Sequence, residues 1–292
     1  ELTQFNEHIY FVMITSLLGV AASRGPFNWR FFILLPANVL TVSFAHMLVY
    51  INEAPDDALS DNPTRLNPIA TGLISPGAAK KTATLIGLLS VVLYAILGFK
   101  PLFFGIISLL LGLFYSFRNF QLKNLIIFDV LSRCLMFAGL QYLCGFFTYA
   151  SNINHIWFWP FLWVISVGFF REGCHNPHNL RRTNKPHYQP SLPNPENRFR
   201  QILIIFMLGF GILSTIITFF LINLIPDWTL FLMTGLSLIF IIPSLLDIKK
   251  GAAHQTTFEL FRKPIARAIA LALLLDELLP WIDNLIGSGI FT

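Results

Sequence analysis

The stretch FFILLPANVLTVSFAHMLVYI at 31–51 runs straight into NEAPDDALSDNPTR at 52–65. The first part holds about enough apolar residues to cross a bilayer, which takes roughly 20. The second part crowds four carboxylates, Glu53, Asp56, Asp57 and Asp61, against the end of that span. The whole chain follows the first part in character. Hydrophobic residues make up 55% and charged residues 12% of its 292 positions, and the mean hydropathy is +0.65. A soluble domain carries about 25% charged residues. A water-soluble globule has no means of hiding this much apolar surface, so lipid is the expected solvent.

Further apolar runs fall near 9–23, 82–99, 101–117, 125–149, 156–170, 201–225, 228–247 and 264–286. In hydrocarbon only helices and closed barrels satisfy the backbone, and these runs are too long for barrel strands. The sequence therefore predicts an all-α polytopic membrane protein of about nine transmembrane helices around a central cavity. Charge sets the orientation. With a cytoplasmic N-terminus, only Arg24, Arg30 and Lys100 fall in outer loops and Arg133 inside the fifth span, leaving sixteen of the 20 basic residues on the inner side. That asymmetry is the positive-inside pattern. Trp29, Trp157, Trp159, Trp228 and Trp281 fall at outer helix ends, where interfacial indoles belong.

The net charge of +5 then reads as loops facing anionic membrane lipid, with no nucleic acid as partner. Cys134, Cys144 and Cys174 show no metal or disulfide spacing. The chain opens at Glu1, which implies a trimmed start, and shows no cleavable signal-peptide pattern. Two long polar inner loops, about 52–81 and 171–200, lie four spans apart. They imply an internal repeat of about 1–124 and 125–247, followed by a last helix.

The acidic cluster is the first chemical signal. Asp57 and Asp61 are spaced to share a helix face. Oxygen donors without thiols or paired imidazoles suit Mg²⁺, which binds through one or two carboxylates plus substrate phosphates. The pattern thus points to a diphosphate substrate, against the plainer reading of a solvated acidic loop. Beyond it, Ser75-Pro76 forms a helix cap and first turn, and Gly72 a turn.

This segment, with Pro68-Ile69-Ala70-Thr71-Gly72 and Ile74-Ser75-Pro76 after it, resembles the first signature of the UbiA-type intramembrane prenyltransferase superfamily. The resemblance continues at Leu113-Phe114-Tyr115-Ser116 and Leu122-Lys123, and in the topology of nine helices with polar loops after the second and sixth. It implies a single membrane domain over 1–292. It also implies that Asn52, Asp57 and Asp61 serve a metal–diphosphate site and that Arg65 binds diphosphate. Two departures stand out. Glu53 replaces the usual second acid, and Asp57 fits the spacing only with one extra residue before it; otherwise Asp56 takes the middle place and Ser60 the last. An insertion keeps three acids in place and is the reading preferred.

The second loop, REGCHNPHNLRRTNK at 171–185, departs further. The family's second Asp-x-x-x-Asp pattern survives as Glu172 and Asn176, while Arg171, Arg181, Arg182 and Lys185 add positive charge. Such cations suit a diphosphate. Asp129 and Arg133 are spaced for an intramembrane pair or a site wall. His46 reads as a core or cavity-lining residue. Asp276 and Glu277, before Pro280, mark a break in the last span.

The resemblance implies Mg²⁺-dependent transfer of a prenyl group from a prenyl diphosphate to a small lipophilic acceptor. Catalysis is expected from Asp57, Asp61 and Arg65. Substrate binding is expected from Asn52, Asp56, Tyr115, Lys123, Arg171, Glu172, Asn176 and Arg182, and metal binding from Asn52, Asp57, Asp61 and Glu172. Phosphoribosyl transfer to a polyprenyl phosphate and isoprenoid cyclisation are the alternatives on the same fold. A catalytically inactive isoprenoid-binding or assembly protein is a further one. The expected location is the plasma membrane, with the site facing the cytoplasm.

Overall fold

The structure is a computed structural model that describes residues 5–58, 67–116, 126–150, 157–175 and 255–286, with single positions at 209, 213 and 217. Every described element is helical: α1 (Phe5–Ser23), α2 (Phe31–Ala58), α3 (Pro76–Leu97), α4 (Phe99–Ser116), α5 (Ile126–Cys134), a π-turn (Leu135–Gly139), α6 (Leu140–Tyr149), α7 (Phe158–His175) and α8 (Gln255–Ile286). The all-α expectation holds. The spans expected at 201–225 and 228–247 lie outside the described residues, so the count of nine does too.

Side-chain placement is that of a bundle standing in lipid. On α3 the inward face carries Ala79, Ala83, Gly87, Ser90 and Tyr94, all buried. The outward face exposes Leu85, Leu88, Leu89, Val92 and Ile96. Small and polar residues inside with large apolar residues outside reverse the order of a water-soluble helix and match packing in a membrane. Among the described helices, Phe31–Pro55, Pro76–Leu97 and Phe99–Ser116 are long and apolar enough to cross one.

Several boundaries differ from the sequence expectation. Helix α2 does not stop at 51 but continues through Asn52–Ala58, and α3 begins at Pro76 rather than 82. Apolarity measures membrane depth, whereas caps measure helix length. Ser75 Oγ accepts from the Ala78 N–H and Pro76 fills the first turn, so α3 starts while still in the polar zone. Gly98 alone, at φ 123°, separates α3 from α4; a side chain there is disfavoured. The fifth span is one rod interrupted by the π-turn, in which the Leu140 N–H reaches back to Leu135 O. The last helix carries no break at Pro280 and runs unbroken to Ile286.

Two close approaches order the bundle. Gly19 of α1 and Gly145 of α6 face each other, and a Cβ on Gly145 would stand 2.6 Å from Ser16 O and 3.4 Å from Gly19 Cα. Glycines at both positions let the two backbones touch, the small-residue packing that membranes favour. Beside this crossing lies a buried polar node. Asn38 Nδ2 donates to Ser16 Oγ at 2.7 Å and to Gln141 O at 3.3 Å, while its Oδ1 accepts from Tyr94 OH at 2.6 Å. Gln141 Nε2 in turn donates to Met136 O in the π-turn at 3.0 Å and to Ser108 Oγ at 3.3 Å. Five helices are joined through groups with no water to compete for them.

The contacts fix which helix ends lie together. Trp281 of α8 packs on Phe27 and Phe32, Tyr149 OH donates to Asn28 O, and Arg30 Nη1 donates to Thr148 O. The α1–α2 turn, the end of α6 and the end of α8 therefore share one end of the bundle. At the other end His8 of α1 stacks on His46 of α2 with centroids 4.1 Å apart, and His46 stacks on Phe137 of the π-turn at 4.5 Å. Gly168 of α7 sits against Ala138 and Cys134, so α7 runs antiparallel to the fifth span and ends at this same end. Helix α8 begins there as well, since the Arg267 guanidinium lies over the Tyr10 ring. A chain that leaves α7 and enters α8 at one end has the parity of two intervening spans.

Substituting Gly145→Leu forces α1 and α6 apart. It is expected to lower the unfolding temperature of the detergent-solubilised protein by roughly 5–10 °C, the scale of an overpacked core. Gly77→Leu, which meets nothing within 4 Å, is expected to change it little. Thermal unfolding of the two variants in parallel checks the difference.

Candidate active site at the acid-bearing end

The last two turns of α2 carry Asn52, Glu53, Asp56 and Asp57, with Pro55 inside the helix and no basic residue in the last turn. Carbonyl groups at a helix C-terminus present partial negative charge. Three carboxylates added there raise the local negative potential, an arrangement that a bound cation relieves. The helix is regular α over 51–58. Asn52 therefore shares a face with Asp56, and Glu53 with Asp57, each one turn apart. No bulge in this stretch absorbs an extra residue, so the inserted spacing preferred from sequence finds no structural counterpart between Asn52 and Asp57.

Asp57 is held by a residue the sequence reading passed over. Asn67, 1% exposed, donates through Nδ2 to Asp57 Oδ2 at 3.0 Å and to Tyr50 O at 2.9 Å. Its Oδ1 accepts from the Ile69 N–H at 3.0 Å, closing a turn of the kind asparagine favours. The turn continues with Thr71 N–H to Asn67 O and Gly72 N–H to Ile69 O, and Gly72 adopts φ 77° as expected of a turn glycine. One buried amide thus links the α2–α3 connection to both the helix and its carboxylate. Ala54, Ile69 and Ala79 pack beneath it.

The neighbouring wall comes from α4 and α5. Tyr115, 6% exposed, lies at the end of α4, and the Arg133 guanidinium of α5 sits 5.9 Å from its ring centroid. That contact is a cation–π arrangement. The expected Asp129–Arg133 pairing falls outside the described side chains. Ser116 Oγ, beside Tyr115, is buried and has no hydrogen-bond partner among the described residues. His46 is a member of the aromatic stack described above, deeper along α2.

Arg171 and Glu172 belong to α7, which runs to His175, and not to a loop as expected; their side chains and that of Asp56 lie outside the described set. Asp61, Arg65, Lys123, Asn176 and Arg182 lie outside it as well. The ends of α2, α4 and α7 nevertheless share one end of the bundle. The two polar segments singled out from sequence, after the second and sixth spans, start from the same side. Among the described residues no three His, Cys, Asp or Glu side chains come together as a complete metal site. Mg²⁺ does not need one, because it keeps waters and takes substrate phosphates as ligands. The oxygen-only donors on α2 and their unfavourable place at a helix C-terminus fit that ion.

Comparison with solved structures places the fold. A digeranylgeranylglyceryl phosphate synthase superposes with TM-score 0.65 at 17% identity, over 94% of this chain and 96% of that one. An apo UbiA homologue from Aeropyrum pernix K1 gives 0.67 at 16%, over 92% and 97%. A UbiA homologue from Archaeoglobus fulgidus bound to GPP and Mg²⁺ gives 0.63 at 13%, over 94% and 98%. No curated protein sequence matches. The profile of the UbiA prenyltransferase family matches residues 11–263. With that match, and a helical bundle of the same architecture, the chain belongs to the UbiA prenyltransferase family.

Proposed function

We propose that this protein transfers a prenyl group from a prenyl diphosphate to a small lipophilic acceptor, with Mg²⁺, inside the membrane. The observation that carries the reading is the carboxylate-rich C-terminus of α2, anchored through Asn67 and facing the same end of the bundle as Tyr115, Arg133 and the end of α7. The Archaeoglobus fulgidus relatives bound to GPP and Mg²⁺ and to DMAPP and Mg²⁺ support it.

In this reading the substrate's head lies at the acid-bearing end and its apolar tail among the helices. Asn52, Asp57, Asp61 and Glu172 hold Mg²⁺, which supplies the positive charge that joins carboxylates to diphosphate oxygens. Arg65, Lys123, Arg171 and Arg182 neutralise the leaving group as its bond to the allylic carbon breaks, with Asp56 and Asn176 orienting the head. Tyr115 borders the head pocket. The acceptor then forms its bond to the allylic cation and releases a proton. Surrounding helices keep water from the cation. The site faces the cytoplasm of the plasma membrane, on the side where basic residues collect.

Ligand-induced stabilisation tests this without knowledge of the acceptor. Geranyl diphosphate with Mg²⁺ is expected to stabilise the purified protein by about 2.7 kcal/mol at a hundredfold excess over its Kd. The gain should vanish with EDTA and in an Asp57→Ala/Asp61→Ala variant. Full retention in that double variant would sink the assignment. Asn67→Ala is expected to lower intrinsic stability by about 1–3 kcal/mol, the cost of orphaned buried partners. It should also weaken the Mg²⁺-dependent gain, because Asp57 loses its anchor; the same melting curves report both effects.

A further inference from the structure

The geometry points to Arg133 as a diphosphate-binding residue, reaching the substrate head from the α4–α5 side, an inference that rests on the prenyl-transfer reading. Three observations carry it. The first is depth. A side chain at Gly112 of α4 would lie 3.2 Å from Ala45 Cβ and 3.4 Å from Met136 Sδ, which sets one level through α2, α4 and the π-turn. From that level Tyr115 and Arg133 each lie three residues, about 4.5 Å, toward the acid-bearing end, and Glu53 lies eight residues, about 12 Å, in the same direction. Arg133 thus stands between the His46–Phe137 stack and the α2 carboxylates, within arm's length of the latter.

The second observation is the cost of the charge. Arg133 belongs to the fifth apolar run, and cations inside spans face a bundle interior or a polar cavity. Its guanidinium lies over the face of Tyr115, which fixes the fork without using its N–H groups. The third is Ser116, whose buried Oγ has no hydrogen-bond partner among the described residues. A fixed guanidinium beside an unpaired hydroxyl is a donor set shaped for phosphate oxygens. Carboxylates on α2 address the metal, and this pair addresses the anion that the metal brings.

Calorimetric titration of the full chain with geranyl diphosphate and Mg²⁺, without acceptor, tests the assignment. Arg133→Gln is expected to weaken binding about 30-fold or more. Arg133→Lys, which keeps the charge but loses the fork, should bind several-fold more tightly than Arg133→Gln. Arg267→Gln removes the other aromatic-stacked arginine at this end and is expected to bind like the parent. Inorganic diphosphate with Mg²⁺ should show the same ranking, since the contact is to the head. An Arg133→Gln protein binding within about twofold of the parent would overturn this inference alone. So would equal weakening in the Gln and Lys variants, which marks a packing role. A parent that binds neither ligand would overturn the prenyl-transfer reading, and this residue's role with it.

Discussion

Asn38 sits with no exposed surface midway along α2, and its amide spends every donor and acceptor it has on three other helices. In lipid no water stands ready to replace a lost partner, so such a node is satisfied only in one register of the helices that form it. Sliding α2 by one turn would break the bonds to Ser16, Tyr94 and the Gln141 carbonyl at once. The position of α2 along the bundle follows from that node. Twenty residues on, the same helix delivers its carboxylates to the end of the bundle where α4 and α7 also end.

The π-turn belongs to the same device. Its wider turn leaves backbone carbonyls less regularly paired, and Gln141 folds back to donate to Met136 O. Such turns recur at functional positions. Here the turn bears Met136, which meets Ala45 and Gly112, and Phe137, which stacks on His46. One turn further along the rod is Arg133. The irregularity thus lies between a rigid half, made by the Gly19–Gly145 crossing and the Asn38 node, and a polar half that carries the chemistry. Packing precision in the first supports side-chain placement in the second.

Electrostatics in the polar half run against helix preference. Acidic side chains crowd a helix C-terminus, and a guanidinium lies within the apolar zone. Neither arrangement favours folding by itself. Each becomes favourable when a divalent cation and an anionic head occupy the space between them. Asn67 and Tyr115 hold the two unlike charges apart on separate walls.

Composition and periodicity were enough to determine the solvent, the helical class and the parity of the spans, because lipid demands long apolar runs and internal backbone pairing. The acidic segment after the second span and its likeness to a prenyltransferase signature were legible for the same reason: charge next to hydrocarbon is conspicuous. Helix ends were not. Apolarity stops at Ile51 and at Phe170, but the helices continue through Asn52–Ala58 and Arg171–His175, since polar residues remain helical once outside the membrane. Only the tertiary structure decided that Asn67 grips Asp57 and that Arg133 lies on Tyr115. Those pairings span ten and eighteen residues of sequence, and no local propensity encodes which distant partner a folded chain brings within hydrogen-bonding or stacking reach.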